Sequence, residues 1–180
     1  MQIDWQDKGK ATPKIEHDVI KNLLFFDGSL SRYLQSLCKG QLKISIQSES
    51  WSLPFEDERI TLGLSSDEKA FVRLSCLQSD NKKLVNARTV IPEQTYTLIK
   101  DQLKALGERP LGELLFSDSS GYRSDMKYAK IPFQCEWFKH SQFEQNVDEV
   151  YWGRQSIFII NDMPLLITEV FLPDIHQCLK

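Results

Sequence analysis

Two stretches of alternating residues, each bent about a two-residue polar turn, constrain this chain more than anything else in it. Residues 69–78 and 83–91 flank Ser79-Asp80-Asn81-Lys82, and residues 153–172 run to and from Asn161-Asp162. Asp and Asn tolerate the left-handed backbone of a tight hairpin turn, so each stretch predicts an antiparallel hairpin. A two-residue turn also fixes the register, because a slip by one residue sends every side chain to the other face. The first register sets Arg73 opposite Arg88, and the second sets Arg154 opposite Glu169.

These registers predict chemistry. In the first hairpin, Val72, Leu74 and Cys76 form an apolar face with Thr89, Ala87 and Val85, suited to lie under helices. The other face pairs Phe71 with Val90, Arg73 with Arg88, Ser75 with Asn86 and Leu77 with Leu84. Two opposed guanidinium groups destabilise a sheet unless an anion or water separates them. In the second hairpin, Glu169 is the only charge between Met163 and Pro173 and shares its face with Leu165, Ile167 and Phe171. A carboxylate on such a face must be paired, neutralised or used. Together the hairpins predict a concave site for a small, doubly anionic molecule with a polar handle. A plainer reading leaves Arg73 and Arg88 on a solvated face and Arg154–Glu169 as an ordinary cross-strand pair.

Around the hairpins, residues 1–14 are polar and expected to be loosely ordered, and residues 15–180 form one domain. Apolar positions at helical spacing predict a helix over 15–26. Ser29 caps a second one that ends at Gly40, and Leu42, Ile44 and Ile46 alternate as a strand. Residues 48–68 resist assignment. Glu93 to Leu106 reads as an amphipathic helix between Pro92 and Gly107. Residues 117–151 are the least legible, with a strand expected near 129–137. The sum is an α+β fold, a single antiparallel sheet with helices packed on one side.

With 180 residues, 41% of them hydrophobic, the chain can bury a core without staples. A net charge of −3 argues against a nucleic-acid partner. No apolar run reaches membrane-spanning length, and the polar start is not expected to be a signal peptide. The four cysteines lack ligand spacing and are expected as free thiols in a reducing cytosol. A lone disulfide is the alternative. His17, His140 and His176 lie outside the hairpins and suggest no triad or metal set.

Several segments resemble the chorismate lyase family: Asp27-Gly28-Ser29-Leu30-Ser31-Arg32, Phe71-Val72-Arg73, Ala87-Arg88-Thr89-Val90-Ile91-Pro92, Pro110-Leu111-Gly112-Glu113-Leu114-Leu115-Phe116, Trp152-Gly153-Arg154-Gln155-Ser156 and Pro164 through Pro173. Each alone is weak; together, in the family order, they are specific. The resemblance implies a chorismate lyase-like sheet with a site closed by helical flaps. It also implies conversion of chorismate to 4-hydroxybenzoate and pyruvate, the first committed step towards ubiquinone in bacteria. Carried over by position, Arg73 binds the ring carboxylate, Glu169 contacts the hydroxyl, and Leu30 and Leu111 touch the ligand. Arg88 or Arg154 is expected to meet the second carboxylate.

Because loss of the side chain aromatises the ring, no metal or redox cofactor is required. A cytosolic monomer with small-molecule partners is expected. The alternative is a non-catalytic sensing module, since effector domains of some bacterial transcription regulators resemble this fold. Such domains normally follow a DNA-binding region, and only about fourteen polar residues precede the first helix here. The stretch from Phe116 to Trp152 is longer than the family pattern, which suggests an extended hairpin or a partner surface.

Overall fold

The structure is a computed structural model that describes residues 3–15, 18–117, 121–138 and 150–178. In chain order its elements are Lys8–Ala11 (α1), Asp18–Leu24 (α2), Leu30–Leu37 (α3), Leu42–Ser52 (β1), Glu56–Leu62 (α4), Ala70–Ser79 (β2), Lys82–Ile91 (β3), Glu93–Leu106 (α5), Leu111–Ser117 (α6), Gly121–Pro132 (β4), Val150–Ile160 (β5), Met163–Phe171 (β6) and Ile175–Cys178 (α7). His17 and His140 lie outside the described residues.

Six antiparallel strands form one sheet in the order β1-β2-β3-β6-β5-β4, so the two hairpins lie side by side and join along β3 and β6. Both turns have positive φ at both central residues: 50° and 64° at Asp80 and Asn81, 46° and 62° at Asn161 and Asp162. That is the turn whose twist matches its strands. The β5–β6 register runs unbroken from Ile160↔Met163 to Gly153↔Val170, with Arg154 opposite Glu169.

The first hairpin corrects the expected register. Ser79 pairs with Lys82 and Gln78 with Lys83, but Leu84 is then an extra residue, and Leu77 pairs with Val85. Beyond this bulge Arg73 faces Thr89, and Arg88 faces Leu74, so the two arginines point to opposite sides of the sheet. Leu84 is fully buried, and its carbonyl accepts the Leu172 N–H at 2.9 Å, which satisfies the group the bulge frees. Two further bulges reverse facing in the same way. Gln47 is the extra residue in β1, which brings Glu49 opposite Arg73, and Ser124 is the extra residue in β4, which brings Arg123 opposite Phe158.

One sheet face carries Leu77, Val85 and Phe171 under α2 and α3, and Phe71, Ile91, Leu165 and Phe158 under α5 and α6. On the opposite face Val72, Val90 and Leu166 meet Leu62 and Leu64 at the end of α4, while Ile131 and Val170 meet Trp137 and Phe138. Before α1, Trp5 donates to Asp57 at 2.7 Å, and Gln6 exchanges backbone bonds with Tyr128 at 2.8 Å, which covers part of the β4 edge. None of the four cysteines is in a disulfide, and burial pushes the Cys76 thiol up to about 11, so it behaves as a small hydrophobe.

Arg88 is part of this second layer. Its Nε and Nη2 donate to Glu58 of α4 at 2.7 and 3.0 Å, and its guanidinium lies 4.0 Å from the Phe55 ring centroid. Glu58 also accepts the Phe55 N–H at 2.9 Å. Burial raises the Glu58 carboxyl above its ordinary range, and the Arg88 charge opposes that rise. The pair fastens α4 to the sheet, away from the face that carries Arg73. We expect Arg88→Met to lower stability by about 3–5 kcal/mol in denaturant unfolding, because it strands a buried carboxylate. A carboxyl whose folded-state pKa lies above its unfolded value takes up a proton on folding, so stability falls as pH rises between the two. The Arg88→Met deficit therefore shrinks as the pH is lowered towards that interval.

Candidate active site

The site is built from two adjacent rows that cross the sheet on its helix-covered face. One row reads Glu49, Arg73, Thr89, Ile167, Ser156, Met126, and the next reads Ile46, Ser75, Ala87, Glu169, Arg154, Tyr128. Ser75, Ala87 and Thr89 are short, so the sheet is hollow between Arg73 and Glu169. Two strand spacings and two residues of rise put the Cα atoms of those residues about 12 Å apart. A ring with polar groups at both ends can bridge that span.

The hollow is roofed by the start of α3 and the start of α6. Ser29, Leu30 and Ser31 line it from one side, and Pro110, Leu111, Gly112, Leu115 and Phe116 from the other, around about 610 Å³ of empty space that includes its opening to solvent. The two roof segments touch. A Cβ placed on Gly112 would lie 3.1 Å from Ser29 Oγ, so glycine permits this approach.

Each cation in the cavity is tied to main chain. Arg73 donates to Glu49 at 2.8 Å and to the Gly107 carbonyl at 2.6 Å. Gly107 ends α5 with a φ of 56°, a conformation that turns the chain at the point where this carbonyl is presented. Burial lowers the Arg73 pKa, and the Glu49 charge opposes that. Arg154 is fully buried. Its Nε donates to Glu169 Oε2 at 2.5 Å, while Nη1 reaches the carbonyls of Leu23, Leu24 and Phe26 at 3.2, 3.5 and 2.7 Å. Those carbonyls end α2, where free acceptors and the negative end of the helix dipole favour a cation. One arginine thus fixes both the end of α2 and the carboxylate, whose side chain stays 15% exposed towards the cavity.

Of the six residues singled out in the sequence, Arg73, Glu169, Arg154, Leu30 and Leu111 line one cavity, and Arg88 does not. Arg123 and Arg109 line it too and escaped the sequence reading. Arg123 lies in a segment without clear alternation and faces inward only because of the Ser124 bulge. Arg109 sits on the link between α5 and α6, where nothing local marks a site. Among the described residues, no group of three or more His, Cys, Asp or Glu side chains is placed to hold a metal.

The six-stranded antiparallel sheet with its helices is a fold this chain shares with several solved structures. The ligand-binding domain of a GntR-family transcriptional regulator from Bordetella bronchiseptica superposes with a TM-score of 0.54 at 17% identity, over 76% of this chain and 87% of that one. The SA0254 gene product of Staphylococcus aureus gives 0.57 at 12% identity, over 82% and 90%. These likenesses define the fold alone. Sequence carries the family. The chorismate lyase family model matches residues 3–179. A protein of Methylococcus capsulatus named a probable chorismate pyruvate-lyase is 34% identical over 154 residues, 86% of this chain and 94% of that one. A relative of the same name from Psychromonas ingrahamii is 33% identical over 163 residues, 90% and 87%. The chain belongs to the chorismate lyase family.

Lysine cannot reach Glu169 and three helix carbonyls at once, so Arg154→Lys should loosen α2. Amide exchange in Asp18–Leu24 is expected to quicken by about tenfold or more, with little change in α5. Equal protection in both proteins would show that the latch contributes nothing.

Proposed function

We propose that the cavity between Arg73 and Glu169 binds chorismate and that the chain converts it to 4-hydroxybenzoate and pyruvate, the first committed step towards ubiquinone. The observation that supports this best is that Arg73 and Glu169 stand apart at two ends of a single roofed hollow, in a chain of this family. A cytosolic, monomeric enzyme acting on a small molecule completes the proposal.

Chorismate carries a ring carboxylate, a hydroxyl at C4 and an enolpyruvyl ether at C3. Elimination breaks the C4–H and C3–O bonds, the ring becomes aromatic, and the enolpyruvyl fragment takes up a proton to leave as pyruvate. The step is redox-neutral and draws its driving force from aromaticity, so the protein's work is positioning and electrostatics. Arg73 holds the ring carboxylate in a charge-assisted pair. Glu169, kept in orientation by Arg154 through one oxygen, accepts the 4-hydroxyl hydrogen bond with the other. Leu30 and Leu111 press on the ring and exclude water, which strengthens both contacts.

Incubation of the chain with chorismate should produce 4-hydroxybenzoate, followed by its absorbance. Ligand binding without turnover would move the protein to the sensing class. Arg73→Ala should weaken 4-hydroxybenzoate binding by about 2–5 kcal/mol in calorimetry, because one half of a buried charge pair is lost. Glu169→Gln should still bind product yet turn over poorly. Normal kcat in that variant removes Glu169 from the chemistry.

A further inference from the structure

Three arginines besides Arg73 line the cavity, and they differ in what they have left to offer. Arg109 is 60% exposed, pairs with Glu113 at 3.5 Å and donates to the carbonyls of Ala105 and Leu106. Arg154 is engaged by Glu169 and the end of α2. Arg123 is different. Its side chain is 9% exposed, its Nη1 is anchored on the carbonyl and carboxylate of Asp27, and its Nη2 lies 3.5 Å from the Gly28 carbonyl. Its Nε is buried and has no hydrogen-bond partner among the described residues. A buried donor without an acceptor is costly and rare in native proteins, so its partner is to be sought in what the cavity binds.

The surroundings of Arg123 favour an anion. Its guanidinium lies 4.8 Å from the Phe158 ring centroid and 5.4 Å from that of Phe116, rings that hold water away and raise the strength of a charge pair. Burial and then the Arg154 charge both act against its positive form, and a bound anion would relieve both. The chemistry of the substrate also selects this end of the cavity. The ether oxygen on C3 and the hydroxyl on C4 sit on neighbouring ring carbons, so the side-chain carboxylate must lie near Glu169 and away from Arg73. Arg123 feels the charges of both Glu169 and Arg154, which places it there.

We propose that Arg123 receives the enolpyruvyl carboxylate of chorismate through its free Nε edge, so that the cavity reads both carboxylates of the dianion. This rests on the lyase reading above and assigns the second anion site to neither Arg88 nor Arg154. The contact is made with substrate and lost with product, since that carboxylate departs in pyruvate. Arg123 therefore discriminates chorismate from 4-hydroxybenzoate, whereas Arg73 binds both alike.

The test compares 4-hydroxybenzoate with the stable dicarboxylate 3-(1-carboxyvinyloxy)benzoate by calorimetry, in the wild type and in Arg123→Gln and Arg123→Lys. Arg123→Gln should lose about tenfold or more in affinity for the dicarboxylate and gain a similar factor in chorismate KM. Its affinity for 4-hydroxybenzoate should stay within about threefold, and Arg123→Lys should recover part of the loss. Equal loss for both ligands, or no loss for the dicarboxylate, would overturn the assignment. If the variants fail to fold, the wild type alone decides. It should bind the dicarboxylate about tenfold or more tighter than the ether in which a methyl group replaces the side-chain carboxylate, and equal affinities would sink the proposal. A wild type that shows this preference but leaves chorismate unconverted removes the lyase reading and keeps the contact. Turnover with unchanged kinetic constants in Arg123→Gln does the reverse.

Discussion

A side chain on a strand has only two directions to point, and the charge arrangement in this protein depends on three single-residue interruptions of that rule. Leu84 sends Arg73 and Arg88 to opposite sides of the sheet, Gln47 brings Glu49 round to Arg73, and Ser124 turns Arg123 inward beside Phe158. Without the first bulge two arginines would face one another, and a sheet tolerates that poorly. With it, one arginine serves the cavity and the other anchors α4 through Glu58. Bulges are found near active sites because they re-aim side chains at small cost to the ladder.

The inward cations are held by main-chain carbonyls as well as by carboxylates, and this shapes what the cavity can do. Arg73 is tied to Gly107 at the end of α5, Arg154 to the end of α2, and Arg123 to Asp27 before α3. The same bonds that orient the charges hold the chain that leads into the roof, at the ends of α2 and α5 and just before α3. Charges fixed before a ligand arrives need little reorganisation during the reaction, which is the main way a protein accelerates a step whose driving force lies in the substrate. Removal of Arg73 or Arg154 is therefore expected to disturb the end of α5 or of α2 as well as the electrostatics.

Much of the fold was legible in the sequence because its signals are local. Asp80-Asn81 and Asn161-Asp162 announced their turns, the β5–β6 register followed, and Glu93–Leu106 showed its helix between Pro92 and Gly107. What failed was non-local. No residue near Leu84 marks it as an extra position in the ladder, so the Arg73–Arg88 pairing followed from the turn and was wrong. Helix α4 fell in a stretch left unassigned, since its hold on the sheet is a charge pair between residues 58 and 88. Arg123 was invisible for the reason Arg88 misled: its direction is decided by a bulge, and a bulge is decided by the neighbouring strand. The family resemblance pointed to Arg73, Glu169, Leu30 and Leu111, and in the structure these four line one hollow.

Everything proposed for this cavity depends on a ring lying between Arg73 and Glu169 in one orientation. A crystal structure of the chain with 4-hydroxybenzoate tests that most directly. The predicted result is the carboxylate within hydrogen-bond distance of the Arg73 guanidinium and the hydroxyl on Glu169, under Leu30 and Leu111. A ring bound outside the hollow, or turned end for end with its carboxylate against Arg123 and Arg154, would contradict it.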